Sequence, residues 1–239
     1  VNIKDANVNA GLRGNLKATK AKDASGDIVL AAYNNYNDNY SVSNDFTNID
    51  GESVNAELTV ADGAEVNAAG KAKLSAQALN NVEVTSSKQY DQNYDASNAT
   101  NSHLYGQIVT TNATVNVGGT VEAQQVDITA DAVNRYVSAE SSKLMHNITS
   151  NIVGAFAANL DASYAVLNST AEVNVGQNAV INATGTDTNT FDSEGKDVIQ
   201  PALNIKANSS VEAGAGASTA LLSLKNVGGI NFIPAAAVT

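Results

Sequence analysis

The chain has no cysteine and no tryptophan, and only one methionine, two prolines and four phenylalanines among its 239 residues. Without cysteine there is no disulfide scaffold, no thiolate metal site and no cysteine nucleophile. A long cysteine-free chain also suits export in an unfolded state. So little aromatic bulk argues against an ordinary globular core of this size. Positive charge is scarce too: 13 Lys and Arg stand against 24 Asp and Glu, a formal net charge of −11. Those cations are scattered, which disfavours nucleic acid and anionic membranes, since both select clustered positive charge. The acidity itself reads as a soluble, self-repelling surface. No apolar run approaches the roughly 18 residues that cross a bilayer, so no transmembrane segment is expected. Val1 follows no Met and no signal-peptide pattern, and the expectation is a segment of a longer protein.

What the chain does have is small β-branched residues and alanine, with abundant Asn, Ser, Thr and Gly. A phrase recurs in it. Val173-Asn174-Val175 has counterparts at Val115-Asn116-Val117, Leu58-Thr59-Val60 and Val1-Asn2-Ile3, with starts 57, 57 and 58 residues apart. Four repeats follow, at about 1–57, 58–114, 115–172 and 173–239, the last carrying a polar insertion over 184–200. Within each repeat two further triplets alternate apolar, polar, apolar. In copy one they are Val8-Asn9-Ala10 and Leu16-Lys17-Ala18, and in copy two Val66-Asn67-Ala68 and Leu74-Ser75-Ala76. Copy three has Val121-Glu122-Ala123 and Ile128-Thr129-Ala130, and copy four Ile181-Asn182-Ala183 and Ile205-Lys206-Ala207. Period two means a strand with one buried face. Between triplets, Asp62-Gly63, Gly70, Gly118-Gly119, Gly176 and Gly185 supply residues that turn corners.

Short strands of this kind are stable when each stacks on its equivalent in a neighbouring turn. The pattern predicts a single all-β segment, 1–239, folded as a parallel β-helix (β-solenoid). At about 18 to 20 residues per coil, each 57–58-residue repeat would hold about three coils, stacked about 4.8 Å apart. Helical repeats need a period of 3.6, which is missing. The segment Lys143 to Leu167 reads as strand by repeat phase, with helix as the competitor.

Chemistry is sparse. His103 and His146 lie in different copies and not at ligand spacing. Acids gather at Asp38, Asp45, Asp50 and Glu52, and at Asp91 and Asp95, but no EF-hand or glycine-rich calcium nonapeptide accompanies them. No phosphate loop, nucleophile elbow or zinc motif is present. Polysaccharide-active β-helices need carboxylates stacked on one face, and the outward triplet positions hold none in pairs. No catalytic residue, cofactor or metal ligand is therefore assigned, and the chain reads as no enzyme. Asn-x-Ser/Thr triplets, such as those from Asn98, Asn112, Asn147, Asn168, Asn182 and Asn208, are close to what chance supplies here. Tyrosines suggest the one candidate contact. Tyr33 and Tyr90 are 57 apart, Tyr36 and Tyr94 are 58 apart, and four rings on successive units could stack on sugar faces.

Ala171-Glu-Val-Asn-Val-Gly-Gln-Asn-Ala-Val-Ile-Asn-Ala and Ala113-Thr-Val-Asn-Val-Gly-Gly-Thr-Val-Glu-Ala resemble the repeats of filamentous-haemagglutinin-type adhesins, the leukotoxin-type filamentous adhesins of anaerobic Gram-negative bacteria above all. That resemblance spans essentially the whole chain. It implies a right-handed parallel β-helix, exported through an outer-membrane transporter by two-partner (type V) secretion to the cell surface or beyond. It also implies a structural stalk or fibre segment that attaches to a glycan or protein receptor on host cells, other bacteria or matrix. Open terminal coils would add end-to-end self-association. The alternative within the same adhesin is a carbohydrate-binding module using the Tyr-rich loops.

Overall fold

The computed structural model describes residues 2–42, 47–86, 103–138, 158–191, 193–214 and 217–221. They are all-β, with no helix among them, and the strands come in levels. Level one comprises β1 (Asn2–Leu12), β2 (Asn15–Ala18) and β3 (Ile28–Val42). Level two comprises β4 (Thr47–Val60), β5 (Glu65–Ala68) and β6 (Lys71–Ser86), and level three β7 (His103–Val117), β8 (Thr120–Ala123) and β9 (Gln125–Ser138). Level four holds β10 (Ala158–Val175) and β11 (Val180–Ala183), then a hairpin of β12 (Thr188–Phe191) and β13 (Asp197–Gln200), then β14 (Leu203–Gly214). The last described strand is β15 (Ala217–Leu221).

Each strand pairs in parallel with its equivalent in the next level. The first sheet runs β1-β4-β7-β10, the short one β2-β5-β8-β11, and the third β3-β6-β9-β14. β15 adds antiparallel to the start of β10, and β12 pairs antiparallel with β13. In levels two to four the three triplets stack as expected. Leu58 lies against Val115 and Val115 against Val173; Val66 against Val121 and Val121 against Ile181; Leu74 against Ile128 and Ile128 against Ile205.

Two expectations need correction. Level one is framed differently, because Leu58-Thr59-Val60 pairs with Ala10-Gly11-Leu12 and not with Val1-Asn2-Ile3. Likewise Leu16-Lys17-Ala18 stacks on Val66-Asn67-Ala68, and Leu30-Ala31-Ala32 on Leu74-Ser75-Ala76. The second correction concerns coil size. A strand's neighbour is one whole repeat away in sequence, not a third of one, so each repeat supplies one level and not about three coils. The reason is that the flanking strands are long. The Tyr/Asn-rich stretch 33–37, taken above as a loop, continues β3, a strand of 15 residues. The segment expected as strand after Lys143 is strand from Ala158 on, in β10; 139–157 lie outside the described residues.

The core lies between the sheets. Val54, Ala56, Leu58 and Val60 point inward from β4, Val66 and Ala68 from β5, and Ala72, Leu74, Ala76 and Ala78 from β6, all buried in one apolar cluster with their level-three equivalents, except that Val54 lies against the buried Thr111. Small side chains are what such closely spaced sheets can hold. A second, smaller cluster joins Val82 and Tyr136, with Tyr36 and Leu167 against it.

The corners explain the glycines. A β-carbon on Gly119 would overlap the carbonyl oxygen of Ala64 and approach that of Ala61 to 2.7 Å. At Gly63 the constraint is conformational: its φ of 73° closes the Asp62-Gly63 turn between β4 and β5. The 184–200 insertion enters at the same corner of level four that Gln124 crosses directly in level three. It forms the β12–β13 hairpin and returns to the stack, where Val126 N–H donates to Ala202 O at 2.8 Å.

Candidate functional site

Parallel in-register stacking sets each repeat position above its own equivalent, about 4.8 Å away. Outward asparagines thereby meet one another. On the first sheet Asn55 Nδ2 donates to Asn7 Oδ1 at 2.6 Å and Asn112 Nδ2 to Asn55 Oδ1 at 2.7 Å. Four residues along, Asn116 Nδ2 donates diagonally to Glu57 Oε1 of level two at 2.8 Å, while Asn174 Nδ2 of level four donates to Asn116 Oδ1 at 3.1 Å. The third sheet repeats the device. Asn81 donates to Asn37 at 3.1 Å, Asn204 to Asp127 at 2.7 Å, and Asn208 to Asp131 at 2.7 Å. Arg135 bridges three levels, donating to Asn81 Oδ1 at 2.9 Å and pairing with Glu212 at 3.1 Å. Each amide has two N–H groups and two acceptor lone pairs, so a ladder spends part of its capacity and leaves the rest to solvent. The result is a periodic, largely polar surface, interrupted on the first sheet by the stacked and exposed Ile108 and Val166.

A second set of polar groups is buried. Asn134 Nδ2 crosses from the third sheet to donate to the carbonyls of Val109 and Asn168, each at 3.0 Å. Asn34 does the same one layer over, donating to Ala6 O at 2.8 Å and Asn55 O at 2.9 Å. Asn80 Nδ2 donates to Asn134 Oδ1 at 2.9 Å, and Ser169 Oγ donates to Ala132 O at 2.9 Å. Asn34, Asn80 and Asn134, with Thr111 and Glu52, are buried, Ser169 is half-buried, and the bonds of Asn34, Asn134 and Ser169 tie the two long sheets together. At the corner between β2 and β3, Asp27 accepts from Lys71 N–H at 2.7 Å. Its carboxyl is held below the usual carboxylate range by a hydrogen bond from Ser25, then by Lys71 N–H and the Lys71 charge.

The residues singled out from sequence fare unevenly. Tyr33 and Tyr36 stand on opposite faces of β3. Tyr33 is 53 % exposed, with its hydroxyl 3.1 Å from Ser75 Oγ. Tyr36 points inward and packs against both apolar clusters. In register, Tyr33 pairs with Gln77 and Tyr36 with Asn80, so neither ring stacks on a tyrosine of level two. Tyr90 and Tyr94 lie outside the described residues. Of the acids considered for calcium, Glu52 is buried and faces the interior; Asp45, Asp91 and Asp95, and the side chains of Asp38 and Asp50, fall outside the description. So do His146 and the side chain of His103, which opens β7. Among the described residues, no group of three or more His, Asp or Glu side chains is placed to hold a metal ion. No helix there is long and apolar enough to cross a membrane.

Hollows on the surface are shallow. One of about 340 Å³ at the end of β1 is lined by Asn9, Arg13, Glu57 and Thr59. It lies beside the ladder and holds no convergent catalytic set. Sequence reading missed both the ladders and the buried amides. A signal for the first was present, since Asn55 and Asn112 are 57 apart and Asn116 and Asn174 are 58 apart. None separates an inward asparagine from an outward one in a strand rich in both. Comparison with known protein families, with characterised proteins and with solved structures finds no match.

Proposed function

We propose that the chain is a structural segment of a large extracellular bacterial adhesin: a broad right-handed parallel β-solenoid, with one coil per repeat, serving attachment or fibre formation and not catalysis. One observation carries the reading. Equivalent strands of four repeats stack in parallel and in register in three sheets, with asparagine ladders along the outside. Such ladders and stacked strands belong to structures that extend along an axis. A chain without cysteine forms no disulfide that would hinder export in an unfolded state, and its net charge of −11 suits a soluble surface.

One consequence separates this segment from a thin stalk. Each repeat of 57–58 residues adds a single strand spacing, about 4.8 Å, to the length, whereas a long strand of 15 residues spans about 50 Å across. The fold spends its residues on width. It is therefore better suited to presenting broad, largely polar faces than to reaching far from a surface, and those faces are where a glycan or protein receptor would meet it. The test is adhesion of the purified chain to epithelial cells, bacterial cells and immobilised matrix, read beside its far-ultraviolet circular dichroism. Saturable binding by a β-rich chain is expected. A β-rich chain that binds none of these surfaces and forms no fibres would overturn the reading.

A further inference from the structure

We propose that the flank of the first sheet, where it meets the corner with the short sheet, binds a neutral polysaccharide: a chain of β-1,4-linked hexoses lying along the stack, one sugar per level. The proposal rests on the attachment reading above and names its ligand class and its place.

Two hollows run end to end on this flank. One of about 360 Å³ lies within levels two to four, between Thr59, Asp62, Asn116 and Asn174, over the backbone of Gly118 and Gly176. The other, of about 340 Å³, carries it on past Glu57 to Arg13, and the two share Thr59 and Ala61. Their polar side chains stand on the outward face and at the corner, so the trough belongs to the side of the stack and not to its ends.

Register makes the trough periodic. Thr59 pairs with Asn116 and Asn116 with Asn174, so each of these levels offers one polar group at the same place. Successive groups are about 4.8 Å apart, close to the length that one β-1,4-linked hexose adds to an extended chain. An extended peptide advances about 3.3–3.4 Å per residue and loses phase with the levels at once. Charge selects among polymers as well. The carboxylates of Glu57, Asp62 and Glu172 stand in or beside the trough against one guanidinium, that of Arg13, which disfavours nucleic acids and uronic-acid chains.

The lining is set for hydroxyl groups. Glu57 Oε1 accepts from Asn116 Nδ2 at 2.8 Å and from the Thr59 hydroxyl at 3.3 Å, and Asn116 Oδ1 accepts from Asn174 Nδ2 at 3.1 Å. These bonds hold the side chains in place. Among the described residues they leave Glu57 Oε2, Asn174 Oδ1 and one Asn174 N–H for a ligand, acceptors and a donor of the kind that sugar hydroxyls satisfy. Side chains already ordered lose little entropy on binding. No aromatic ring lines either hollow, so hydrogen bonds carry the affinity and the enthalpy of binding is favourable.

The test is calorimetric titration of the chain with cellohexaose, N-acetylchitohexaose and, as a polyanion, hexagalacturonate. Saturable, enthalpy-driven binding of at least one neutral hexamer is expected, and affinity should rise with chain length and level off near the four sugars that four levels accommodate. Thr59→Arg/Asn174→Arg fills the trough and should weaken binding at least about tenfold. Asn174→Ala, a milder change at an exposed site, is the second arm and should weaken it about threefold. Asn182→Arg, on the outward face of the short sheet, should bind as the wild type does. Neither neutral hexamer binding at millimolar concentration, the polyanion binding equally well, affinity independent of length, or full affinity in the filled variant would overturn the proposal. A β-rich chain that adheres to cells without binding the hexamers leaves the attachment reading standing; a chain without a β-rich spectrum removes both.

Discussion

At the residue scale, the interior asparagines are the least expected feature and the most exposed to test. Asn134 is fully buried, accepts from Asn80 and donates to two carbonyls on the facing sheet. A buried polar group left without its partner costs about 1–3 kcal/mol. Asn134→Ala removes a donor from the Val109 and Asn168 carbonyls, the latter keeping Thr111 Oγ1, and an acceptor from the Asn80 amide, and is expected to lower stability by about 2–4 kcal/mol on that basis. Asn112→Ala, which removes one rung of a solvated ladder, is expected to cost about 0.5–1 kcal/mol. Chemical denaturation of both variants checks the contrast, and equal losses would count against the bridging role. Asp27 offers a pH test. Its carboxyl is depressed in the folded state, so its contribution is present above the ordinary carboxylate pKa of about 3.9 and is lost as pH falls through the lower folded value. Asp27→Asn is therefore expected to be less stable than wild type near neutrality, and the gap is expected to close below about pH 4 in thermal melts taken across pH.

At the element scale, the corners fix what the strands leave open. The alternating triplets are degenerate: a shift of two, four or eight residues along a period-two strand preserves apolar–polar–apolar. Levels two to four were legible because Gly63, Gly118-Gly119 and Gly176 punctuate them at matching places. Level one has Gly14 at its corner and alternates from Ala6 onward, so Val1-Asn2-Ile3 imitated the phrase nine residues too early, an odd shift that a strict period of two would forbid. The long strands were illegible for a different reason. β3 places Ala32, Asn34 and Tyr36 inward, and polar residues facing a core read as loop when hydrophobicity is the only guide. Register pairs Tyr33 with Gln77, so stacked positions of β3 and β6 are 44 residues apart and not the 57 that separates Tyr33 from Tyr90, which lies outside the described residues. Two outcomes follow from the corners. Gly119→Ala drives a methyl group into the Ala64 carbonyl, a backbone atom that cannot swing aside, and is expected to destabilise by about 3 kcal/mol or more in denaturant unfolding. Excision of Thr188–Gln200 is expected to be tolerated within about 1 kcal/mol, because loop length changes closure entropy only slowly. The ends of the hairpin are already joined, Ala202 N–H donating to Asp187 Oδ1 at 2.9 Å, and a melting curve near that of the wild type is the expected result.

At the scale of the whole molecule, stability is a matter of levels and the faces between them. A single level cannot bury its apolar side chains, so its own folding free energy is unfavourable, and the interface with each neighbour offsets it. Levels two and three have two such interfaces. Among the described residues levels one and four have one each, and their inward residues, such as Leu16 and Ile205, are partly bare there. Opening an end level therefore breaks one interface, while opening a middle level breaks two or detaches everything beyond it. Hydrogen exchange is the direct readout, since amides exchange through the cheapest opening available to them. In dilute solution the amides of β5, β6, β8 and β9 are expected to exchange at least about tenfold more slowly than those of β2, β3, β11 and β14, a gap of about 1.4 kcal/mol between the openings. Fully paired positions are compared throughout, so the gradient is not a trivial effect of unbonded edge amides. Uniform protection across the four levels would mean that the molecule opens only as a whole, and the level-by-level account would fail.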